Sequence, residues 1–184
     1  AEVADLLLRM EGLRWSFSHL DQVDETQLER MKKLGMSAQI HSRPLIQGAL
    51  MHKVHGERAW DMPPFRRVQD SGIRWGLGSD ATAVTTSNPF YTLSFAVTGK
   101  MIGGRHVNRQ SVTREEALIA HTRSNASIVF QESNLGSIQN GKYADLLVLD
   151  RDYMTVPVDQ IKDIKPLLTM VGGKIVYEAA GQKP

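Results

Sequence analysis

Three short segments of the chain alternate apolar with polar or small residues, and each segment ends on a side chain that can bind a metal ion. They are residues 13–19, 36–41 and 73–80. Their last residues are His19, His41 and Asp80. A period of two residues is typical of β-strands. The sequence therefore predicts three strands, each with a histidine or an aspartate at its carboxyl end.

Helical segments separate these predicted strands. Asp24 and Gln27 have the spacing of a capping box, which begins a helix, and Gly35 is a suitable residue to end it. After the third strand, Asn88 is a favoured helix cap and Pro89 takes the first helical position. Strands that alternate with helices are typical of a parallel sheet, so the sequence predicts an α/β fold.

The carboxyl ends of parallel strands meet at one edge of a sheet, where the active sites of such folds are found. We therefore expect His19, His41 and Asp80 to face one cleft. Nitrogen and oxygen ligands can hold a catalytic zinc ion, and a carboxylate can move a proton from water to a leaving nitrogen. The alternative is that the histidines are structural and that Asp80 only caps a turn.

Two glycines, Gly76 and Gly78, lie on the same predicted strand face as Asp80. Glycines on a strand face indicate either that another part of the protein comes close or that space is kept free. Residues 42–62 form a long connection with some helical character. Within this connection His52 and His55 have helical i, i+3 spacing, although no carboxylate or motif supports a metal site there.

The two ends of the chain have different patterns. Residues 1–10 are predicted to be the end of a helix that stops at Gly12. Near the other end, residues 167–178 contain two apolar runs joined by Gly172 and Gly173, which predicts a hairpin. The C-terminal stretch of roughly fifty residues is therefore predicted to form an antiparallel appendage.

Composition excludes several kinds of protein. The formal charge is only +2 over 184 residues and the basic residues are dispersed, so nothing indicates nucleic acid or an anionic membrane as a partner. No apolar run approaches the ~20 residues of a membrane span. The chain has 0 cysteines, so any metal would need histidine and carboxylate ligands. The compartment stays open, with the cytoplasm favoured.

Longer motifs add a family resemblance. They are Trp-Gly-Leu-Gly-Ser-Asp at 75–80, Asn-Pro-Phe at 88–90, Thr-Arg-Glu-Glu-Ala-Leu at 113–118, and the runs at 135–150 and 164–177. In this order and at this spacing the chain resembles the C-terminal part of the metal-dependent amidohydrolase superfamily, in the branch called amidohydrolase family 3. The resemblance extends over nearly the whole chain.

The resemblance implies a fold. It implies the C-terminal portion of a (β/α)8 TIM-type barrel, about strands six to eight, together with strands of a flanking β-sandwich. Residues 1–132 would then be the barrel part, and residues 133–184 would be the C-terminal share of the sandwich. A complete barrel of this type needs ~250 residues, so the chain is expected to be a fragment.

The resemblance also implies an activity, namely metal-dependent hydrolysis of C–N bonds other than peptide bonds, in amides or cyclic amides. His19 and Asp80 match metal-ligand positions, and Asp80 also matches the residue that acts as the base for a metal-activated water. The expected cofactor is a divalent metal, zinc by preference, with one or two ions in the complete enzyme. His41 and Arg43 match no fixed ligand and are candidate substrate contacts.

Two departures from the family support a different possibility. The residues around His19 are Ser18 and Leu20, where the family often has glutamate and alanine, and no His-x-His pair is present. The alternative is therefore a catalytically inert fragment that self-associates or needs a complementary chain. Unpaired apolar strand edges at 13–19 and 73–80 would favour such association, as a homo-oligomer or with that second chain.

Overall fold

The computed structural model describes residues 12–180, so the predicted helix end over residues 1–10 lies outside the described residues. The strands within these residues are β1 (Ser16–Ser18), β2 (Ser37–His41), β3 (Trp75–Gly78), β4 (Leu146–Leu149), β5 (Pro166–Val171) and β6 (Lys174–Glu178). The α-helices are α1 (Glu25–Lys33), α2 (Pro44–His55), α3 (Phe65–Ser71), α4 (Pro89–Thr98), α5 (Arg114–Ile119) and α6 (Asn125–Ile128). A π-helical turn, Ala120–Ser124, joins α5 to α6, and 3-10 helices cover Gly56–Asp61 and Val158–Asp163.

The first three strands form a parallel sheet in the order β1-β2-β3. Ser16 of β1 is paired with Ser37 of β2, and His41 of β2 is paired with Gly78 of β3. Helices connect the strands, as the capping box at Asp24 predicts, because its side chain accepts from the backbone N–H of Gln27. The predicted α/β class is confirmed, and all three strands run toward one edge.

Aromatic side chains build the core between this sheet and its helices. The ring of Phe65 on α3 lies 5.7 Å from the ring of Trp75 on β3 and 6.0 Å from that of Phe95 on α4. Leu77 of β3 is buried in the same core. Each such side chain contributes about 1.5–3 kcal/mol by leaving water, so β3 is held firmly between the helices.

The connection between β2 and β3 is more regular than the sequence predicts. Instead of partial helical character it contains the 12-residue helix α2 and a 3-10 helix. Leu45 and Met51 of α2 are buried, while Ile46, Leu50 and Val54 on its other side are exposed. Apolar residues on both sides remove the one-sided periodicity by which amphipathic helices are identified, which explains the difference.

The C-terminal strands form an antiparallel sheet in the order β4-β5-β6. Gly172 and Gly173 join β5 to β6 with φ angles of 57° and 79°, so the predicted hairpin is confirmed. The 3-10 helix Val158–Asp163 packs on α4 through the fully buried Ile161.

The division of the chain at residue 132 stays a prediction. Within residues 12–180, no helix has the length and apolar character needed to cross a membrane.

Candidate metal centre

The structure brings His19, His41 and Asp80 together at the carboxyl ends of β1, β2 and β3. One ligand atom of each residue lies within 4.8 Å of the corresponding atoms of the other two. His19 Nε2 is 3.6 Å from Asp80 Oδ2, and the two imidazole rings are 4.9 Å apart. The convergence predicted from the strand ends is thus present, while the chemical roles of the three residues stay predictions.

The geometry of His19 and Asp80 suits a divalent ion. Two ligand atoms on a tetrahedral zinc, each about 2.1 Å from the ion, are separated by roughly 3.4 Å. The 3.6 Å between His19 Nε2 and Asp80 Oδ2 is close to that separation. The donors, one imidazole nitrogen and one carboxylate oxygen, are also of the kinds that zinc accepts. These two residues therefore fit the metal that the family resemblance implies.

Both of these residues have an unusual backbone. His19 has a φ of 56° and Asp80 a φ of 52°, in the left-handed region that side chains other than glycine rarely adopt. Such a conformation costs about 1–2 kcal/mol per residue and is found preferentially at functional sites. The same local distortion at the ends of β1 and β3, on either side of β2, indicates that the chain is bent there to aim these side chains.

His41 is buried, whereas His19 is exposed and Asp80 is half-buried. Burial lowers the pKa of His41, although the nearby carboxylate of Asp21 acts in the opposite direction. The backbone N–H of Arg43 donates to His41 Nδ1 at 3.3 Å. Arg43 Nη2, which can only donate, lies 3.5 Å from His41 Nε2, so these two contacts favour opposite tautomers of the neutral ring. Both ring nitrogens of His41 therefore already have a neighbouring nitrogen of Arg43.

Arg43 and Asp21 extend the site beyond these three residues. Arg43 Nη1 lies 3.5 Å from Asp21 Oδ2, and its Nη2 lies 3.5 Å from His41 Nε2. Asp21 Oδ1 is buried and accepts no hydrogen bond from the described residues. The sequence reasoning missed Asp21, although its position two residues after His19, in the same strand-end loop, was the available signal.

A cavity of about 300 Å³ is lined by His19, His41 and Asp80, and also by both glycines of β3. A Cβ atom on Gly78 would meet nothing within 4 Å, so this glycine leaves space free. A Cβ atom on Gly76 would lie 2.0 Å from Asn125 Oδ1, so this glycine permits a close approach. The sequence left open whether these glycines keep space free or permit a close approach. The structure shows free space at Gly78 and a close approach at Gly76.

Asn125 also lines this cavity, and the sequence did not reveal it. Its Nδ2 donates to the carbonyl oxygens of Leu77 at 2.9 Å and His121 at 3.2 Å. Burial lowers the pKa of His121, which lies in the π-helical turn before Asn125. The sequence did not single out Asn125, because an isolated polar residue carries no pattern of its own.

The remaining histidine candidates lie elsewhere. His52 Nε2 is 2.8 Å from the carbonyl oxygen of Val107, and its ring packs edge-on against Trp60. The ring of His106 lies 5.6 Å from Trp60 on the other side. Among residues 12–180, neither His52 nor His55 belongs to a group of three potential metal ligands. The i, i+3 spacing of these two histidines thus does not produce a metal site.

A histidine and an aspartate that meet at the carboxyl ends of parallel strands in an α/β fold form an arrangement suited to metal-dependent hydrolysis. Comparison with known proteins makes this specific, because the model of the amidohydrolase family matches residues 7–177. The chain belongs to the amidohydrolase family, which confirms the resemblance drawn from its motifs.

Relatives and solved structures agree with this membership. The chain is 31% identical to the N-substituted formamide deformylase of Arthrobacter pascens over 97% of its own length and 32% of that protein. It superposes on an uncharacterized metal-dependent hydrolase from Pyrococcus horikoshii OT3 with a TM-score of 0.66 and 23% identity, over 86% of this chain and 33% of the other. An adenosine deaminase from Xanthomonas campestris with bound zinc gives a TM-score of 0.66 at 18% identity, over 96% and 40% of the two chains. The chain thus spans about a third of the length of the curated relative and shares its fold with hydrolases.

Proposed function

We propose that this chain carries part of the active site of a metal-dependent hydrolase that cleaves a non-peptide C–N bond in a small amide. The observation that carries the proposal is the pairing of His19 with Asp80, 3.6 Å apart, at the ends of parallel strands in an amidohydrolase family member. The relative that acts as an N-substituted formamide deformylase supports an amide as the substrate.

We assign β1, β2 and β3 to strands six, seven and eight of a (β/α)8 barrel. The parallel order β1-β2-β3 supports this assignment, since consecutive strands of such a barrel are neighbours. The antiparallel sheet β4-β5-β6 would then belong to the flanking sandwich, with residues 1–132 in the barrel part and 133–184 in the sandwich part.

His19 and Asp80 would hold the divalent metal, and zinc is the ion that their nitrogen and oxygen donors suit best. When bound, such an ion supplies Lewis acidity that activates water and polarises the amide carbonyl. The carboxylate of Asp80 accepts the proton of the attacking water as the new C–O bond forms. It then delivers that proton to the leaving nitrogen as the C–N bond breaks.

The remaining side chains of the site would bind the substrate. His41 lines the cavity together with His19 and Asp80 and would contact the substrate through its imidazole ring. The guanidinium of Arg43, held by Asp21 at 3.5 Å, offers further donors beside it. In this arrangement Asp21 positions Arg43.

A specific observation favours the second candidate, in which the chain alone is inert and associates with another copy or a complementary chain. Trp15 is 57% exposed and Phe17 is 50% exposed, at the edge strand of the parallel sheet. Large apolar residues on a sheet edge promote association. This candidate concerns the isolated chain and is compatible with catalysis by a larger assembly.

Hydrolysis of an N-substituted formamide by the zinc-loaded chain tests the proposal. We expect formate release by the wild-type chain and a loss of at least about a hundredfold in Asp80→Asn, because general-base contributions are of that size. Asp163→Asn is the matched control, since Asp163 is an exposed aspartate far along the chain from the site, and it should retain activity. Equal rates in Asp80→Asn and wild type would refute the role of Asp80. Absence of hydrolysis in the wild type would favour the inert candidate.

A further inference from the structure

We propose that Asn125 Oδ1 accepts a hydrogen bond from the N–H group of the substrate, so that the site selects amides that keep an N–H over tertiary amides. The inference rests on the proposed function and adds a specificity-determining residue to it. Asn125 lines the same cavity as His19, His41 and Asp80. It is neither a metal ligand nor a proton carrier in the mechanism above.

Hydrogen bonds fix the orientation of the Asn125 amide. Its Nδ2 faces two carbonyl oxygens, those of Leu77 and His121, at 2.9 and 3.2 Å. Only the NH2 group can donate to a carbonyl, so a flipped amide would place Oδ1 against two acceptors. Both donors of the side chain are therefore used, and no residue within 12–180 donates to Oδ1. The free acceptor is thus oriented by the fold itself.

Gly76 gives Oδ1 its place on the inner face of the sheet. A Cβ atom at this position would be 2.0 Å from Oδ1, far inside van der Waals contact. Trp75 and Leu77 point into the core on the other face of β3, as the period of the strand requires. Oδ1 therefore lies on the cavity side of β3, on the face that also contains Gly78.

The π-helical turn Ala120–Ser124 positions the residue. It directly precedes α6, in which Asn125 is the first residue, and it packs against β3. A π-helical turn contains an extra residue relative to an α-helical one, which changes the direction in which the following side chains point. Such turns occur preferentially at functional sites. Two unusual local features therefore determine where the Asn125 side chain lies: the π-helical turn directs it, and Gly76 leaves room for it.

Because Asn125 Oδ1 can only accept a hydrogen bond, it favours ligands that have an N–H group. A ligand N–H can donate to Oδ1, whereas an N-methyl group at the same point leaves Oδ1 without a partner and adds a methyl in its path. Leaving a desolvated acceptor unpaired is costly, so discrimination of about tenfold or more is expected.

Binding of two lactams to the full 184-residue chain tests this inference. The probes are pyrrolidin-2-one, which has an N–H, and N-methylpyrrolidin-2-one, which lacks it, titrated by NMR with the Asn125 side-chain NH2 signals as the local readout. We expect pyrrolidin-2-one to bind about tenfold more tightly to the wild type. Equal affinities, or binding of neither probe, would overturn the inference.

Variants separate this specificity from a structural role. Asn125→Ala removes the acceptor, and Gly76→Ala displaces it, so both should bring the affinity ratio of the two lactams close to one. Gly103→Ala is the matched control, because its Cβ meets nothing within 4 Å and Gly103 does not line the cavity, and it should keep the ratio. A ratio that persists in folded Asn125→Ala and Gly76→Ala would also overturn the inference. Zinc binding does not involve Asn125, so the proposed function can hold even if this inference fails.

Discussion

At the scale of single residues, the two glycines of β3 have opposite surroundings although they share a strand face. Gly76 is in close contact with Asn125, and Gly78 borders open space. Neither has the positive φ that restricts a position to glycine. The period-two pattern could reveal that glycines face the site, but only the fold shows which of them is crowded.

This contrast predicts different effects of the same substitution. Gly78→Ala should leave the free energy of unfolding unchanged or raise it by about 0.4–1 kcal/mol, because alanine restricts the unfolded chain. Gly76→Ala should lower it by about 1–3 kcal/mol, because the added Cβ would be forced against Asn125. Urea denaturation of both variants measures the difference. Equal stabilities would contradict the close approach of Asn125 Oδ1.

The effect of a core substitution on the free energy of unfolding can also be compared with that of a matched exposed control. Phe65 is fully buried between Trp75 and Phe95, so Phe65→Ala should lower the unfolding free energy by about 3–5 kcal/mol. Phe17→Ala, on an exposed phenylalanine, is the control and should change it by less than about 0.5 kcal/mol in the monomer. Thermal unfolding distinguishes them. Similar losses in both would show that the packing of β3 against α3 and α4 is wrong.

At the scale of elements, an ion pair joins two helices behind the sheet. Arg66 of α3 donates to both carboxylate oxygens of Glu116 on α5, at 3.2 and 2.6 Å. The hydrogen bonds from Arg66 hold the pKa of Glu116 at about 2, below its usual value of 4.5. Glu116 also completes the capping box of α5 with Thr113. One carboxylate therefore begins a helix and fixes it to its neighbour.

The lowered pKa of Glu116 sets a pH window for its contribution to stability. A carboxyl that is more acidic in the folded state stabilises the fold above pH 4.5, and this stabilisation is lost as the pH falls through about 2. Glu116→Gln should therefore lower the unfolding free energy by about 1–2 kcal/mol at pH 7, with the difference shrinking between pH 4.5 and 2. Glu115→Gln, on the exposed neighbour, should show no such pH-dependent loss. A Glu116→Gln difference that is constant over this range would contradict the ion pair.

Elements also show what the sequence could and could not predict. The strands that end in His19, His41 and Asp80 were predictable because alternation and strand direction are local properties. Helix α2 was underestimated because its apolar residues lie on two sides. The contact of Asn125 with Gly76 and Leu77 joins residues about fifty positions apart, and a single sequence contains no signal for such a pair.

At the scale of the whole molecule, the edge of the parallel sheet carries exposed aromatic residues. Trp15 and Phe17 lie on or beside β1, which no described strand covers on its outer side. We expect the isolated chain to associate through this edge. Light scattering coupled to size exclusion should show oligomers of the wild type and a shift toward monomer when both residues are replaced by lysine.

A control is needed because any added charge can improve solubility. Ile138→Lys replaces an 86% exposed apolar residue outside the parallel sheet and should leave the oligomers intact. A wild-type chain that stays monomeric at high concentration would contradict association through this edge. Dissociation by Ile138→Lys as well would show that the effect is not specific to β1.

The central claim at this scale is that His19 and Asp80, from two different strands, form one metal site. Zinc titration by calorimetry of the wild-type chain, His19→Ala and Asp80→Asn tests it most directly, with His55→Ala as a matched histidine control. We predict that the wild type and His55→Ala bind zinc alike and that each site variant binds at least about tenfold more weakly. Zinc affinity unchanged in His19→Ala and Asp80→Asn, or no zinc binding by the wild type, would contradict the claim.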